Sequence, residues 1–231
     1  MRYLITAGGT REAIDAVRVV ANRSTGRLGV AIAEQAAAAG HEVLLLRARG
    51  GARPGDQGLP CHDFESSADL AALLGRHAAR ADVIVQAAAV SDFVPRTAEG
   101  KLSSDVEQLV LVLDRAPKLI DGLRDLCPRG VLVGFKLTSG RAEHEQVVIA
   151  RQLLQRARLD LVVANDAGAL EAAEHEALLV AAAGTPERCR GKPDIARRLV
   201  AAIDRLAAGR PAGRGVGAPS PGPAERSGGE R

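Results

Sequence analysis

The sequence predicts a three-layer α/β fold, a Rossmann-like and mostly parallel sheet with helices on both faces. Three observations lead there. Short aliphatic runs such as EVLLL (42–46), DVIVQ (82–86), GVLVGF (130–135) and DLVVA (160–164) are apolar without alternation, as strands buried on both faces are. Between them lie stretches with apolar residues at helical spacing. Hydrophobic residues make up 46% and charged residues 26% of the 231 positions, enough apolar surface for one domain of this size.

Each element has its own justification. Residues 2–6 read as the first strand, ending in the turn Ala7-Gly8-Gly9-Thr10. A helix follows over 27–39, with Leu28, Ile32 and Ala36 on one face and Gly40 as its stop. After the strand at 42–46, Ser66 or Ser67 caps a helix over 67–79, and 82–86 is the next strand. LVLVL at 109–113 reads as a strand, and 117–126 as a helix with Pro117 in its first turn. The strand at 130–135, a long helix over 142–157, the strand at 160–164, a short strand at 178–180 and a closing helix over 194–206 complete the domain.

From Ala208 the composition changes. Eleven of the last 24 residues are Gly or Pro, and Val216 is their only branched aliphatic. Such a segment buries too little apolar surface to offset its ordering entropy, so 1–207 reads as the folded domain and 208–231 as a disordered tail. The tail carries four arginines and two glutamates, which leaves 27 basic and 26 acidic residues in the body. A nearly neutral body with 2% aromatics gives no support to nucleic-acid binding. No apolar run approaches the roughly 20 residues of a membrane span, and the N-terminus has no secretory h-region, so a cytoplasmic protein is expected. Cys61, Cys127 and Cys189 are widely spaced and fit neither a disulfide framework nor a zinc site.

Ligands of such sheets sit at the carboxyl ends of the strands. Gly8, Gly9 and Thr10 stand at the first of these ends, and Ser24-Thr25-Gly26 opens the following helix. That start suits a phosphate, or is an ordinary capped turn. The glycines do not match GxGxxG, and GK[ST] is missing. Asn22, just before this turn, reads either as a donor to a reacting acyl group or as a turn residue bonded to its own backbone. Gln86, Ala87 and Ala88 leave room for a flat ring or ribose, with Asp92 either a ligand for it or a surface loop residue. Lys101, in GKLSS, suits a mobile phosphate clamp or plain solvent exposure, and Phe135 a ligand edge or the core. The five histidines form no metal-binding spacing, and there is no GxSxG elbow, so neither a metal ligand nor a nucleophile is assigned.

In order, ITAGGTREAID, VR followed by NRSTG, AAAVSDF, GKLSS, VGFKL and LDLVVAND resemble the phosphopantothenate–cysteine ligases (phosphopantothenoylcysteine synthetases) of coenzyme A synthesis, in their stand-alone form. The resemblance runs from Tyr3 to about Asp166 and makes 1–207 a nucleotide-binding ligase domain. It implies that a nucleoside triphosphate with Mg²⁺, CTP rather than ATP, activates the carboxylate of 4′-phosphopantothenate. The amine of cysteine then takes the acyl group. It further implies no flavin, and a homodimer with 95–113 as the exchanging arm. By the same resemblance Asn22 contacts the acyl-nucleotide. Gln86, Ala87, Ala88, Asp92, the turn Ala116-Pro117-Lys118 and Phe135 hold the nucleotide, and Lys101 holds phosphate. The family's two prolines in this first segment are Ala13 and Ala16 here, and a serine is Thr25. Two lysines of many members, four apart, are Leu153 and Ala157, with Arg156 and Arg158 nearby. Two other readings share the fold class. One is a catalytically inactive nucleotide-binding paralogue. The other is an NADP-dependent reductase using Arg47 and Arg49 for a 2′-phosphate, although such reductases need Tyr-x-x-x-Lys and the sole tyrosine is Tyr3.

Overall fold

A computed structural model of the chain describes residues 1–96, 100–103, 107–169 and 176–210. Strand β1 (Arg2–Ala7) is followed by a small hairpin, β2 (Arg11–Ala13) and β3 (Val19–Ala21), and then by α1 (Arg27–Ala38). Next come β4 (Glu42–Ala48), β5 (Cys61–Phe64), α2 (Ser67–His77) and β6 (Val83–Gln86). A second small ribbon, β7 (Phe93–Pro95) with β8 (Leu113–Arg115), precedes α3 (Leu119–Leu126) and β9 (Val131–Thr138). The chain closes with α4 (Glu143–Arg156), β10 (Leu161–Asp166), β11 (Glu176–Ala181), β12 (Glu187–Arg190) and α5 (Lys192–Ala208).

Eight strands form the central sheet in the order β12-β11-β10-β9-β6-β1-β4-β5. The six from β5 to β10 are parallel, and β11 and β12 turn antiparallel at one edge. Both sheet faces are covered because side chains alternate along runs in which every residue is apolar. Tyr3, Ile5 and Ala7 of β1 enter a core shared with Ile32 and Ala36 of α1 and Leu199 and Ile203 of α5. Leu4 enters the opposite core, with Leu70 and Leu74 of α2, Leu123 of α3 and Leu154 of α4. The chain leaves β1 toward β4 and β5 and returns on its other side as β6. Strand order therefore reverses between β1 and β6, and a crevice opens there.

The caps follow the sequence signals. Ser66 caps α2 in a reciprocal capping box with Asp69. Gly40, at φ 82°, lets α1 end with the Gly40 and His41 N–H groups bonded back to Ala37 and Ala36.

Several elements differ from expectation. Of LVLVL only Leu113 is in a strand, because its partner ribbon is three residues long, and Leu109 to Val112 remain exposed. Pro117 precedes the α3 N-cap, Lys118, rather than lying in the first turn. The strands CHDF and ERCR were not anticipated, since edge strands carry charge and lack the continuous apolar run. The hairpin was missed as well. Its turn is set by Asp15, whose carboxylate accepts the N–H groups of Val17 (2.8 Å) and Arg18 (2.7 Å). Helix α5 runs to Ala208, and Arg210 pairs with Asp160, so ordered structure reaches into the segment read as tail; 211–231 lie outside the described residues. Among the described residues no helix is long and apolar enough to cross a membrane.

Candidate active site at the β1–β6 crevice

Two glycines bring backbone together at the end of β1. Gly8 has φ 93°, and a Cβ there would lie 2.5 Å from the Ala48 Cβ. A Cβ on Gly9 would lie 2.6 Å from the Asn22 carbonyl oxygen, so only glycine lets the hairpin exit pass this close. Gly26, the αL N-cap of α1, packs on the Gly8 backbone, and Gly29 on Ala7 and the Thr6 carbonyl. Gly8, Gly26 and Gly29 thus perform what a dinucleotide-binding glycine motif does, with a hairpin inserted in its middle. Gly29 escaped the sequence reading because that insertion destroys the spacing.

The β1 and β6 ends are knitted by polar bonds. Thr10 N–H donates to the Ala89 carbonyl at 3.0 Å, and Ala89 N–H to the Gly8 carbonyl at 2.8 Å. The buried Thr10 hydroxyl lies 2.8 Å from Ser91 Oγ and accepts the Ser91 N–H at 3.0 Å. Thr6 Oγ1 accepts the Ala88 N–H at 3.0 Å. Asn22, exposed at the crevice, donates its amide to the Ala89 carbonyl at 2.9 Å and to Ser91 Oγ at 3.4 Å. Its side chain is therefore fixed by the opposite strand end rather than by its own turn. Ser24 N–H bonds to the Asn22 carbonyl, and Thr25 Oγ1 lies 3.5 Å from the Arg27 N–H. Helix α1 has neither a side-chain cap nor an acidic residue in its first turn, which leaves its positive end facing the crevice.

Beside this point lies a cleft of about 450 Å³, lined by Gln86, Ala88, Val90, Ser91 and Asp92 on one side. Pro117, Lys118, Leu119 and Ile120 of the α3 start, Phe135 and Lys136 of β9, and Ile149, Gln152, Leu153 and Arg156 of α4 complete it. That volume suits a nucleoside-sized ligand. Asp92 and Lys118 form an ion pair at 2.8 Å, and the Ala116 N–H bonds the Asp92 carbonyl at 2.9 Å, joining two segments picked out separately in the sequence. Ala87 is half-buried after the strand, and its N–H bonds the Val85 carbonyl. Phe135 does two jobs, packing on the core and lining the cleft.

Lys101 is placed differently. Its neighbours Gly100 and Leu102 are bonded to the hairpin tip, through Ala16 N–H to the Gly100 carbonyl (3.0 Å) and Leu102 N–H to Asp15 Oδ2 (3.1 Å). Lys101 is exposed there and is not among the residues lining the cleft. Leu153 of α4 and Ala157, its C-cap, are core residues, with Leu153 also touching the cleft. Of the two nearby arginines, Arg156 stands at the cleft and pairs with Asp121, whereas Arg158 pairs with Asp125 away from it. Neither the arginine that suggested a reductase nor the sole tyrosine is placed for that chemistry. Arg47 is buried and forked onto Asp63, and Tyr3 is buried with its hydroxyl on Asp204. Ser91, Thr6, Lys136 and Asp15 had not been singled out; they lie one or two positions from residues that had, but nothing in the sequence says which strand end they would face.

A doubly wound α/β sheet with a glycine-lined helix start and a nucleoside-sized cleft at its switch point defines an α/β domain of the Rossmann type. The family model for the DNA/pantothenate metabolism flavoprotein C-terminal domain matches residues 1–206, and the chain belongs to that family. It is 39% identical over 210 residues to the coenzyme A biosynthesis bifunctional protein CoaBC of Thermococcus kodakarensis, across 89% of this chain and 51% of that protein. The chain thus spans about half the length of that relative. Its fold superimposes on the crystal structure of the DNA/pantothenate metabolism flavoprotein from Streptococcus pneumoniae with a TM-score of 0.83, at 31% identity, covering 89% of this chain and 99% of that one. The C-terminal domain of a CoaBC protein matches with a TM-score of 0.75 at 27% identity, over 90% of this chain and 95% of that one.

Proposed function

We propose that the protein is a phosphopantothenate–cysteine ligase of coenzyme A biosynthesis. The observation that carries the reading is Asn22, held by the Ala89 carbonyl at the switch point, between an uncapped helix start and a nucleoside-sized cleft. Membership of the pantothenate family, whose relatives act in coenzyme A biosynthesis, supports it.

In this reaction the carboxylate oxygen of 4′-phosphopantothenate attacks the α-phosphorus of a nucleoside triphosphate, CTP in preference to ATP, and pyrophosphate leaves. The cysteine amine then attacks the acyl carbon, forming the amide and expelling the nucleoside monophosphate. Neither step needs a side-chain nucleophile, so catalysis rests on positioning and charge stabilisation. Ser24, Thr25, Gly26 and the free N–H groups behind them hold phosphate at the α1 start. Asn22 orients the acyl-nucleotide. Gln86, Ala87, Ala88, Asp92, Phe135 and the Ala116–Pro117–Lys118 turn hold the nucleoside, with Gly8, Gly9 and Thr10 shaping the floor. Lys118, Lys136 and Arg156 are the cations beside the triphosphate, Arg156 serving where relatives place lysines. Mg²⁺ bound with the triphosphate would neutralise part of its charge. The cleft offers it a single carboxylate, Asp92, which suits an ion carried mainly by phosphate oxygens.

Lys101 reaches substrate when its segment moves or when a second copy supplies it. Phe93 and Val19 on the two ribbons, and Val17 and Leu109 to Val112 beside them, are exposed apolar residues, and burying them against another copy makes the homodimer. Light scattering tests this: a monomer at micromolar concentration removes the arm from the mechanism.

The decisive assay is pyrophosphate release with Mg²⁺, 4′-phosphopantothenate and cysteine, run separately with CTP and ATP. Release that requires phosphopantothenate establishes the ligase and names its nucleotide. Triphosphate binding by folded protein without release makes it an inactive nucleotide-binding paralogue.

A further inference from the structure

Gln86 is the last residue of β6, paired with Thr6 of β1 on one side and Gly134 of β9 on the other. It is 4% exposed, and neither Nε2 nor Oε1 has a hydrogen-bond partner among the described residues. It is the only described side chain to leave both polar atoms buried and unpaired. The other orphaned nitrogens differ, since His41 Nε2 stands 3.2 Å from Asp204 and Arg151 still donates through a second nitrogen to the Gly184 carbonyl. A buried amide stripped of water and given nothing in return costs the fold stability, and native proteins rarely tolerate it without a reason.

The surroundings supply the reason. Gln86 lines the cleft, and opposite it β9 carries Gly134, which has no side chain with which to satisfy an amide. Ile120 and Leu153 nearby are apolar, while Lys118 and Arg156 stand further along the same cleft. A neutral donor–acceptor pair beside apolar Ile120 and Leu153, in a mixed cleft that carries Lys118 and Arg156 farther out, fits a flat, uncharged ring bearing adjacent hydrogen-bonding groups and an anionic tail. We propose that Gln86 is the nucleobase-reading residue of the cleft. Its Oε1 accepts from an exocyclic amino group, and its Nε2 donates to the neighbouring ring nitrogen.

This rests on the ligase reading for the choice of a nucleoside triphosphate. CTP and ATP share that amino and ring-nitrogen edge, so the amide makes binding depend on the edge without itself separating the two. A base whose edge is blocked leaves both atoms stranded, which is the most effective way a site refuses an analogue.

The test compares Mg²⁺-CTP with its N4,N4-dimethyl analogue, and Mg²⁺-ATP with its N6,N6-dimethyl analogue, by calorimetry in the absence of phosphopantothenate. In the native protein the dimethyl analogue of the preferred nucleotide should bind at least about 10-fold more weakly. In Gln86→Met, similar in size and without the amide, parent and analogue should bind alike. The unliganded variant should also melt about 2–4 °C higher, because an orphaned polar pair has been removed. A residue that merely supports the fold would lower the melting temperature and leave the gap between parent and analogue intact. No gap in the native protein, or an undiminished gap in the variant, overturns the proposal. Should Gln86→Met not fold, Gln86→Glu keeps the acceptor and removes the donor. The parent should then bind about 10-fold more weakly with the gap narrowed, and an unchanged gap is again fatal. Since binding is read without turnover, a closed gap with no pyrophosphate release would sink the ligase and leave the base-reading role standing.

Discussion

The carboxylate of Asp15 accepts the backbone N–H of Leu102 at 3.1 Å, fastening the first hairpin to a segment 87 positions further along the chain. Asp15 also takes the N–H groups of Val17 and Arg18 and the Arg18 guanidinium, and its side chain has no exposed surface. Lys101 is thus presented by a latch in which this buried carboxylate acts beside the Ala16 N–H bond to the Gly100 carbonyl.

The latch has a definite pH dependence. The Val17 N–H above all, then those of Leu102 and Arg18, hold the Asp15 carboxyl below its ordinary value. A depressed native value means its stabilisation is complete above the unfolded carboxylate value of about 3.9, and is lost as pH falls through the native one. Hydrogen exchange at the Leu102 amide should therefore stay protected from neutrality down to about pH 4. In Asp15→Ala protection should fall by about 10-fold or more above about pH 4, and the difference from the native protein should close at lower pH, where the carboxylate is protonated. Equal protection in the variant would mean that the hairpin needs no carboxylate to hold this segment.

Asn22 and Gly9 form one device. Asn22→Asp keeps the shape but turns a donor to the Ala89 carbonyl into a carboxylate that repels both that carbonyl and an acyl phosphate. Turnover should fall about 100-fold or more while the melting temperature changes little. Gly9→Ala leaves Asn22 in the sequence but drives a Cβ to 2.6 Å from its carbonyl oxygen. It should lower turnover comparably, with a stability loss of roughly 1–3 kcal/mol. Steady-state kinetics alongside urea unfolding separate the two; wild-type turnover in Gly9→Ala would show that this close approach is dispensable.

The Asp92–Lys118 pair is exposed on both sides, at 63% and 43%, so it carries little stability. Lys118→Met should change unfolding free energy by no more than about 1 kcal/mol. If Lys118 serves the triphosphate, the same variant should raise the Kd for Mg²⁺-nucleotide about 5-fold or more, and the rise should shrink at high salt. Calorimetry at two ionic strengths reads both effects.

Arg124 shows the opposite balance. It donates to Asp160 Oδ2 (2.8 Å) and to the carbonyls of Gly130 (2.8 Å) and Arg158 (2.9 Å), while Asp160 also accepts the Leu132 N–H (2.7 Å) and pairs with Arg210. Arg124 and Asp160 are only 15% and 19% exposed. Arg124→Met should cost about 3 kcal/mol in urea unfolding and leave nucleotide affinity intact, because the network lies outside the cleft. A loss below about 1 kcal/mol would show that Arg210 compensates.

The layers of the fold were legible in the sequence because a strand covered on both faces must be apolar at every position, and few other structures ask for that. Gly8, Gly9, Asn22, Gln86 and Asp92 could be picked out for the same kind of local reason, since each is a small or polar residue near where an aliphatic run ends, whereas Lys118 was marked only by the family resemblance. What joins them was not legible. Asn22 reaches across 67 positions to Ala89, and Thr10 across 81 to Ser91, and a hydrogen bond of that span leaves no periodicity in the chain. The two ribbons and the charged edge strands were hidden for a related reason, because their residues are chosen by neighbours in space and by solvent rather than by a repeating buried face. The sequence by itself determined which residues stand at strand ends. Only the tertiary structure decided that Lys101 belongs to the hairpin tip, that Arg156 rather than Arg158 meets the cleft, and that Gln86 is sealed without a partner. Burial and pairing are properties of surroundings, and the surroundings exist only once the sheet has closed around them.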